Sequence, residues 1–386
     1  MRSLPTIIHL DADAFFVSVE QARDPSLRGK RCAVGGRHRG IISSASYEAR
    51  KAGVYTPMPT AQALKVCPDL ILIEHSLSDY GAVSRRMFDV CETLTPLVQR
   101  NSIDEGYLDL APCALGSIEA ITAAVHALQK RLWDDVQVPV SMGIATNKLV
   151  AQIASKLRKP RGFVLVLPGE EQDFLAPLPV GKLPGVGTKT EAALKKAGIV
   201  LVRDLLERGD DELAALLGNG WREMRDAAQG IDERPVETEQ EDAKSFGQQE
   251  TFDRDIADFA TIEGIARGML DDLMATVRRE GKRVRTLTVK VRYPDFTQET
   301  CGRSLPEASD LEPPFLPILS ACLRAAWTKR RPLRLVSVRL SGVEAPAPQL
   351  ELFAEGDDKR RRLAAAVDLL NQRAGKTPVV RHGHQL

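Results

Sequence analysis

Cysteine is scarce in this 386-residue sequence, and long hydrophobic runs are missing from it. The six cysteines are dispersed and form no CxxC pair, a pattern that favours reduced thiols over disulfides or a zinc site. No apolar stretch approaches the roughly 20 residues that a membrane-spanning helix needs, and the first strand-like segment follows the N-terminus too closely for a signal peptide. The sequence therefore predicts a cytoplasmic protein without membrane contact.

A large net charge is also missing, since the formal total is +1. The charges are nevertheless segregated: basic runs occupy residues 148–161, 278–285 and 329–339, and acids pool in residues 232–242. Segregated basic patches can bind phosphate groups even when the total charge is near zero. Each run could equally be a solvated helix face, so charge alone leaves nucleic-acid binding open.

The pattern of residues changes along the chain, whose length predicts two to four domains. Residues 1–165 alternate strand-like and helix-like segments, which predicts an α+β or α/β fold. Residues 168–232 favour short helices separated by glycines, and residues 233–243 resemble an acidic linker. Residues 244–345 return to a mixed pattern, and residues 359–376 favour an amphipathic helix.

Individual elements follow from the same periodicity. Strands are expected near residues 7–10, 33–34, 41–44, 102–110, 140–145, 163–167, 286–293 and 336–341. Helices are expected near residues 15–21, 47–52, 60–66, 77–93, 117–133 and 148–157. In the last two strands the polar side chains would share one face that includes Lys290, Arg292 and Arg339. Such a face suits contact with a DNA backbone, although a plain half-exposed sheet is the alternative.

Two acidic clusters, about ninety residues apart, each interrupt an apolar strand-like segment. Buried carboxylates are costly without cations, and Mg²⁺ is usually shared between a few carboxylates and substrate phosphates. We expect Asp11 and Glu105 to share metal ions, with Asp104 and the Ala12 carbonyl completing the site. We expect Asp13 to lie on the opposite strand face from Asp11 and not to bind the same ions. Salt-bridged acids in strands are the alternative reading.

Further segments have the chemistry of phosphate binding. Tyr47 and Arg50 lie one helical turn apart, where a hydroxyl and a guanidinium could hold a triphosphate. Lys159 precedes a helix-ending proline, although it could merely offset the helix dipole. Gly185 and Gly187 in LPGVGTKTEAALKKAGI indicate a helix–hairpin–helix whose amides, with Lys189, could bind a phosphate. A glycine-rich connection without a ligand is the alternative there.

The proline-flanked residues 346–358 contain QLELF, in which Gln349, Leu350, Leu352 and Phe353 could dock in a partner's groove. A strand or loop that folds back onto its own domain is the alternative.

Six segments occur in the order found in Y-family DNA polymerases, and the chain resembles the bacterial DNA polymerase IV group over residues 6–345. The segments are LDADAFFVSVE, SYEARKAGV, SIDEGYLDL, GIATNKLVAQIASKLRKPRG, LPGVG and KSFGQQETF. The resemblance implies a multidomain α+β fold shaped like a right hand. Its parts would be a ferredoxin-like palm at 1–29 and 78–165, small fingers at 30–77, a helical thumb with the helix–hairpin–helix at 166–232, a linker at 233–243, an α/β little finger at 244–345, and a clamp-binding peptide with a tail at 346–386.

The resemblance also implies a function, template-directed DNA synthesis of the translesion type, with low fidelity and no proofreading. Two Mg²⁺ ions, for which Mn²⁺ can substitute, would bind at Asp11, Asp104 and Glu105. The incoming dNTP would contact Ser44, Tyr47, Arg50 and Lys159, and the ring of Phe16 would exclude the ribose 2′-hydroxyl as a steric gate. The partners would be primer–template DNA and, through QLELF, the bacterial sliding clamp, and a monomer is expected.

Gly106 departs from the group, which more often has Ala or Val there, and looser packing beside the metal ligands is expected. A non-catalytic adaptor that bridges clamp and partners is the rival from another class, but such relatives lose the acids that this chain keeps. Another palm-like nucleotidyl transferase is a second rival, and the helix–hairpin–helix argues against it. The resemblance gives no role to residues 354–386.

Deletion of Gln349–Phe353 tests the clamp prediction. We expect stimulation of primer extension by the clamp to disappear, because the docking peptide is gone, while extension without the clamp is unchanged. Primer extension with and without the clamp measures both effects. Loss of the unstimulated activity as well would mean that the peptide is part of the fold.

Overall fold

The structure is a computed structural model that describes residues 2–37, 39–74, 77–239, 242–329, 331–345 and 355–374. The chain divides into two compact units, Met1–Gln240 and Glu241–Leu386. None of the helices within these described ranges is long and apolar enough to cross a lipid bilayer.

A five-stranded sheet organises the first unit. In chain order its strands are β1 (Ile7–Ala12), β6 (Val98–Arg100), β7 (Glu105–Asp109), β8 (Val140–Ala145) and β9 (Phe163–Leu165), arranged β6-β7-β1-β8-β9. The helices around it are α1 (Phe15–Arg23), α4 (Leu77–Glu92), α5 (Ile118–Val136) and α6 (Lys148–Leu157). Side chains alternate between the two faces of β1: Ile8 and Leu10 enter the core with α4 and α5, whereas Ile7 enters the core with α6.

A smaller sheet and a helical segment complete the first unit. The sheet contains β2 (Cys32–Gly35), β3 (Ile41–Ala45), β4 (Met58–Pro59) and β5 (Ile71–Ile73), in the order β4-β3-β2-β5 with α2 (Tyr47–Lys51) and α3 (Thr60–Val66). The helical segment contains α7 (Glu171–Leu175), α8 (Thr188–Lys196), α9 (Val202–Leu206), α10 (Asp210–Leu217) and α11 (Trp221–Ala228). Its hairpin turns at Gly185, whose φ of 88° favours glycine.

An antiparallel sheet covered by helices forms the second unit. The strands are β10 (Ser245–Ile256), β11 (Arg283–Arg292), β12 (Gln298–Ser309) and β13 (Leu333–Glu344), in the order β10-β13-β11-β12. The helices are α12 (Phe259–Arg279), α13 (Leu316–Ala326) and α14 (Glu355–Ala374). Arg278 binds Asp368 at 2.7 Å, so α14 is tied to α12 by an ion pair with little exposure on either side.

The predicted α+β class is confirmed, and three predicted elements, at 60–66, 140–145 and 148–157, have the observed bounds. The strand predicted at 102–110 is wrong in its first part. β7 begins only at Glu105, because the Ser102 hydroxyl accepts hydrogen bonds from the backbone amides of Asp104 and Glu105. These bonds hold residues 102–104 in a turn instead of a strand. Sequence periodicity missed β10 and β12, whose side chains are mostly exposed and polar and therefore do not alternate clearly.

Gly106 does not loosen the packing, so that expectation is wrong. A Cβ at this position would lie 2.7 Å from the Phe88 ring and 2.6 Å from the Gln99 carbonyl oxygen. The space that a larger residue would occupy is therefore filled by a fully buried aromatic ring and by the neighbouring strand. Glycine at 106 and phenylalanine at 88 are complementary choices.

Gly106→Ala is expected to lower the free energy of unfolding by about 1–3 kcal/mol, because the new methyl group overpacks the core against backbone that cannot move easily. Urea denaturation measures the change. Gly116→Ala is the control, since a Cβ there meets nothing within 4 Å. This substitution is expected to leave the free energy of unfolding unchanged or to raise it slightly. Equal effects of the two substitutions would contradict the steric explanation.

Candidate active site

The two acidic clusters meet at one end of the five-stranded sheet. In the antiparallel pair of β1 and β7, Asp11 lies opposite Glu105, and directly opposed side chains are near neighbours on one face. The amide of Ala12 donates to the carbonyl of Asp104 at 2.8 Å. The register therefore brings together all four residues that the sequence assigned to the metal site.

Two lysines at the end of α6 balance these carboxylates. Lys159 bonds to Oδ1 of Asp11, and the Lys156 Nζ lies 3.1 Å from Oε2 of Glu105 and 4.0 Å from Oδ2 of Asp11. Burial raises the pKa of Asp11 above its usual value; Lys159 opposes this shift and the neighbouring Glu105 adds to it. The two carboxylates thus form a like-charged pair that is stabilised by nearby cations.

The third carboxylate has a different partner. The Ser102 hydroxyl donates to Oδ1 of Asp104 at 2.6 Å. In the described part of the chain, no three or more His, Cys, Asp or Glu side chains are spaced to hold a metal ion by themselves. The donors of Asp11, Asp104 and Glu105 are all oxygens, the type that Mg²⁺ prefers, and Mg²⁺ usually completes its ligands with water and substrate phosphates. The residues therefore fit Mg²⁺ as a partial ligand set.

Asp13 is fully buried and is saturated by protein donors. Its carboxylate accepts the Ser141 hydroxyl at 2.8 Å, the Arg161 amide at 2.7 Å and the Tyr47 hydroxyl at 3.3 Å. Lys159 lies 3.6 Å away. These bonds agree with the prediction that Asp13 does not share the metal ions, but the reason given for it was wrong. Residues two apart on a strand share a face, β1 ends at Ala12, and Lys159 lies beside both aspartates. The bonds also fix Tyr47 and the 159–161 segment around one anchor.

A cleft of ≈ 180 Å³ opens in front of the carboxylates. The sequence-assigned residues that line it are Asp11, Ala12, Phe16, Ser44, Arg50, Asp104 and Lys159. Tyr47 stands beside it, with the Arg50 guanidinium 5.0 Å above the Tyr47 ring and the Arg50 Nε bonded to the Ala45 carbonyl at 3.0 Å. Burial raises the pKa of Tyr47, so its hydroxyl remains protonated and can donate.

The Phe16 ring forms one wall of this cleft and is held by other aromatic rings. It stacks on Tyr80 with centroids 4.6 Å apart and an angle of 28° between the planes. Tyr80 is fully buried, and its hydroxyl donates to Oε1 of Glu20 at 2.7 Å. Sequence reasoning missed Tyr80, because the residue pattern of α4 does not show that Tyr80 contacts Phe16, which is more than sixty positions earlier.

Sequence reasoning also gave no role to Lys156 or His9. Lys156 belonged to a recognised basic run, and its spacing of three from Lys159 could have placed both at one helix end. His9 is buried beneath the site: its Nδ1 lies 2.8 Å from the Ser155 hydroxyl and its Nε2 lies 3.8 Å from Oε2 of Glu105. Burial, with the nearby lysines, lowers the pKa of His9 to about 3, so the imidazole is neutral.

The remaining assigned residues lie elsewhere. Gly185, Gly187 and Lys189 are exposed around the hairpin that leads into α8. In the second unit, Lys290 donates to Gln249 at 3.2 Å and Arg339 donates to Ser245 at 3.0 Å. Arg292 has the same alternating position as Lys290, opposite the buried Leu287, Val289, Val291 and Tyr293, so the predicted polar face is confirmed. Gln349, Leu350, Leu352 and Phe353 lie outside the described residues.

Family profiles match most of the chain. The impB/mucB/samB family matches residues 10–156, the IMS family HHH motif matches residues 168–199, and the impB/mucB/samB family C-terminal domain matches residues 243–352.

Individual proteins agree with this assignment. A protein named DNA polymerase IV from Opitutus terrae is 66% identical over 99% of this chain and 98% of its own length. Among solved structures, a Y-family DNA polymerase chimera is 26% identical with a TM-score of 0.78, covering 88% of this chain and 99% of its own. The insertion ternary complex of Dbh DNA polymerase has the same identity and coverage, with a TM-score of 0.64.

Proposed function

The chain belongs to the impB/mucB/samB family of Y-family DNA polymerases, and we propose that the cleft around Asp11, Asp104 and Glu105 is its polymerase active site. It is a DNA-directed DNA polymerase of the translesion type. The observation that carries the site assignment is the register that places Asp11 opposite Glu105, beside a cleft that Asp11 and Asp104 line together with Phe16 and Lys159.

Polymerases of this kind depend on metal ions, and the carboxylates of Asp11, Asp104 and Glu105 with the Ala12 carbonyl would hold two Mg²⁺, or Mn²⁺ in their place. When bound, such ions would activate the primer 3′-hydroxyl and neutralise charge on the triphosphate. The fit lies in the chemistry of the donors: two like-charged carboxylates that are close together and partly buried gain stability from a cation.

The other residues of the cleft would bind and orient the nucleotide. The Arg50 guanidinium, held by the Ala45 carbonyl and the Tyr47 ring, is suited to a bidentate contact with phosphate oxygens. Ser44 and Lys159 would contribute a hydroxyl and an ammonium group. The primer 3′-hydroxyl would attack the α-phosphate and pyrophosphate would leave, with the rate enhancement coming from positioning and electrostatics.

Sugar selection would depend on Phe16. Its ring lines the cleft, and stacking on the buried Tyr80 opposes its displacement by a larger sugar. A ribose 2′-hydroxyl would therefore contact the Phe16 ring, which Tyr80 holds in position.

The remaining parts of the chain would grip DNA. The five-stranded sheet is consistent with a palm at 1–29 and 78–165, and the smaller sheet with fingers at 30–77. The exposed hairpin at Gly185 and Gly187 would offer its amides to a phosphate, within a thumb at 166–232. After a linker at 233–243, a little finger at 244–345 would track the backbone with Lys290, Arg292 and Arg339. Residues 349–353 would dock a monomeric polymerase on the sliding clamp.

Asp104→Ala is expected to reduce single-nucleotide addition to a primer by about 100-fold or more, because it removes a carboxylate ligand of the metal ions that would neutralise charge on the triphosphate, while primer–template binding persists. Primer extension with Mg²⁺ and single dNTPs measures the first effect and fluorescence anisotropy the second. Asp89→Ala, which changes an exposed acid on α4, is the control. Nucleotide addition by the Asp104→Ala variant at the wild-type rate would contradict the metal assignment. Absence of nucleotide addition by folded wild-type protein would favour the non-catalytic adaptor.

Phe16→Ala is expected to admit ribonucleotides, because the wall against the 2′-hydroxyl is removed. The ratio of kcat/KM for dNTP and rNTP insertion measures sugar selection. The control Phe16→Tyr keeps the ring and should keep the ratio near that of the wild type. An unchanged ratio in Phe16→Ala would move the steric gate to another residue.

A further inference from the structure

A second cleft, of ≈ 510 Å³, lies in the second unit where α12 begins and α13 ends. Its walls include Phe259, Arg324, Trp327, Lys329 and Arg331, and no acidic residue is among the described residues that line it. Cationic and aromatic side chains thus share one concave surface, and none of them belongs to the polymerase cleft of the first unit.

The aromatic rings of this second cleft are fixed in place. The Phe259 and Trp327 rings have centroids 6.1 Å apart and lie 22° from parallel. The Trp327 indole nitrogen donates to the Arg331 carbonyl at 2.8 Å, and the Arg324 guanidinium lies 4.3 Å above the Phe259 ring. The polar edge of the indole is therefore satisfied internally, and the ring can offer its surface to a ligand without being reordered.

The turn between β11 and β12 adds another ring beside this cleft. Lys329 donates to Thr297 at 2.7 Å and Arg331 pairs with Asp295 at 3.1 Å, so the turn is tied to the cleft wall. Between these contacts, Phe296 is 61% exposed and has a φ of 65°. The left-handed region is unfavourable for a bulky aromatic residue. The turn nevertheless presents the Phe296 ring to water, with the Arg334 guanidinium 4.8 Å above it, so a ring and a cation are displayed together beside the cleft.

We propose that the second cleft and the Phe296 turn bind single-stranded DNA. Bases would stack on Trp327 and Phe296, and phosphates would pair with Arg324, Lys329 and Arg331. Rings set in a positively charged groove are the arrangement by which proteins hold single strands without reading sequence. A duplex keeps its bases stacked on one another, and an acidic peptide would use the cations but leave the Phe296 ring exposed.

The single strand that a polymerase encounters is the unpaired part of its template. In this respect the inference rests on the proposed function. The binding itself needs no polymerisation. We therefore expect Asp11→Ala to bind a single strand as the wild type does. Failure of the polymerase assignment would appear in primer extension, whereas failure of this inference would appear only in single-strand binding.

The test measures binding of fluorescein-labelled oligothymidine to the full-length protein by fluorescence anisotropy, with excess unlabelled blunt hairpin duplex occupying the duplex-binding surface. Phe296→Ser is expected to weaken this binding about tenfold, because one base loses its stacking partner. Arg324→Ala is expected to reduce the slope of log K against log salt by about 0.7, the value for one lost phosphate contact on a single strand. A merely structural arginine would not change that slope.

The matched control is Arg131→Ala, which removes an exposed arginine on α5 of the first unit, outside the three basic runs. It should change neither the affinity nor the salt slope. Wild-type affinity and slope in both Phe296→Ser and Arg324→Ala would overturn the proposal. So would displacement of the labelled strand by polyglutamate as effectively as by unlabelled oligothymidine, which would assign the second cleft to an acidic peptide.

Discussion

The antiparallel register of β1 and β7 places Asp11 opposite Glu105 at the cleft that we propose as the polymerase active site. Side chains alternate along β1, so a shift of one residue would turn Asp11 away from Glu105 and towards the opposite face of the sheet. Burial on both faces opposes such a shift, because Ile8 and Leu10 fill one core and Ile7 fills the other. The geometry of the site is thus maintained by apolar packing a few residues away from it.

Asp11 and Asp13 are two residues apart but have different electrostatic environments. This difference gives Asp13 a structural role and leaves Asp11 for the proposed chemistry. Asp13 receives hydrogen bonds from a hydroxyl of β8, a backbone amide and a tyrosine, so its charge is fully compensated inside the protein. Asp11 is compensated mainly by lysines at the end of α6. Long lysine side chains can rearrange more easily than backbone amides, so the charge of Asp11 remains available to other cations.

Much of the fold could be predicted because several segments have a clear period and clear ends. The helix at 148–157 begins after the capping Asn147 and ends before Pro160, and its bounds were predicted correctly. The strand at 102–110 was predicted too long, because the Ser102 side chain competes for backbone amides and period alone cannot show this. Tyr80, Lys156 and the Phe88–Gly106 pair were missed because each depends on a contact between distant segments.

The sequence by itself determined the α+β class, the order of the family motifs and the chemical types at the proposed active site, because periodicity and side-chain chemistry are local properties. It is also the basis of the clamp prediction for residues 349–353, which lie outside the described residues. The tertiary structure decided which acids meet, which of them is saturated, what supports Phe16, and that aromatic and cationic residues share a second cleft. Those outcomes depend on which segments become neighbours across a sheet or a helix face, and no local pattern specifies a distant partner.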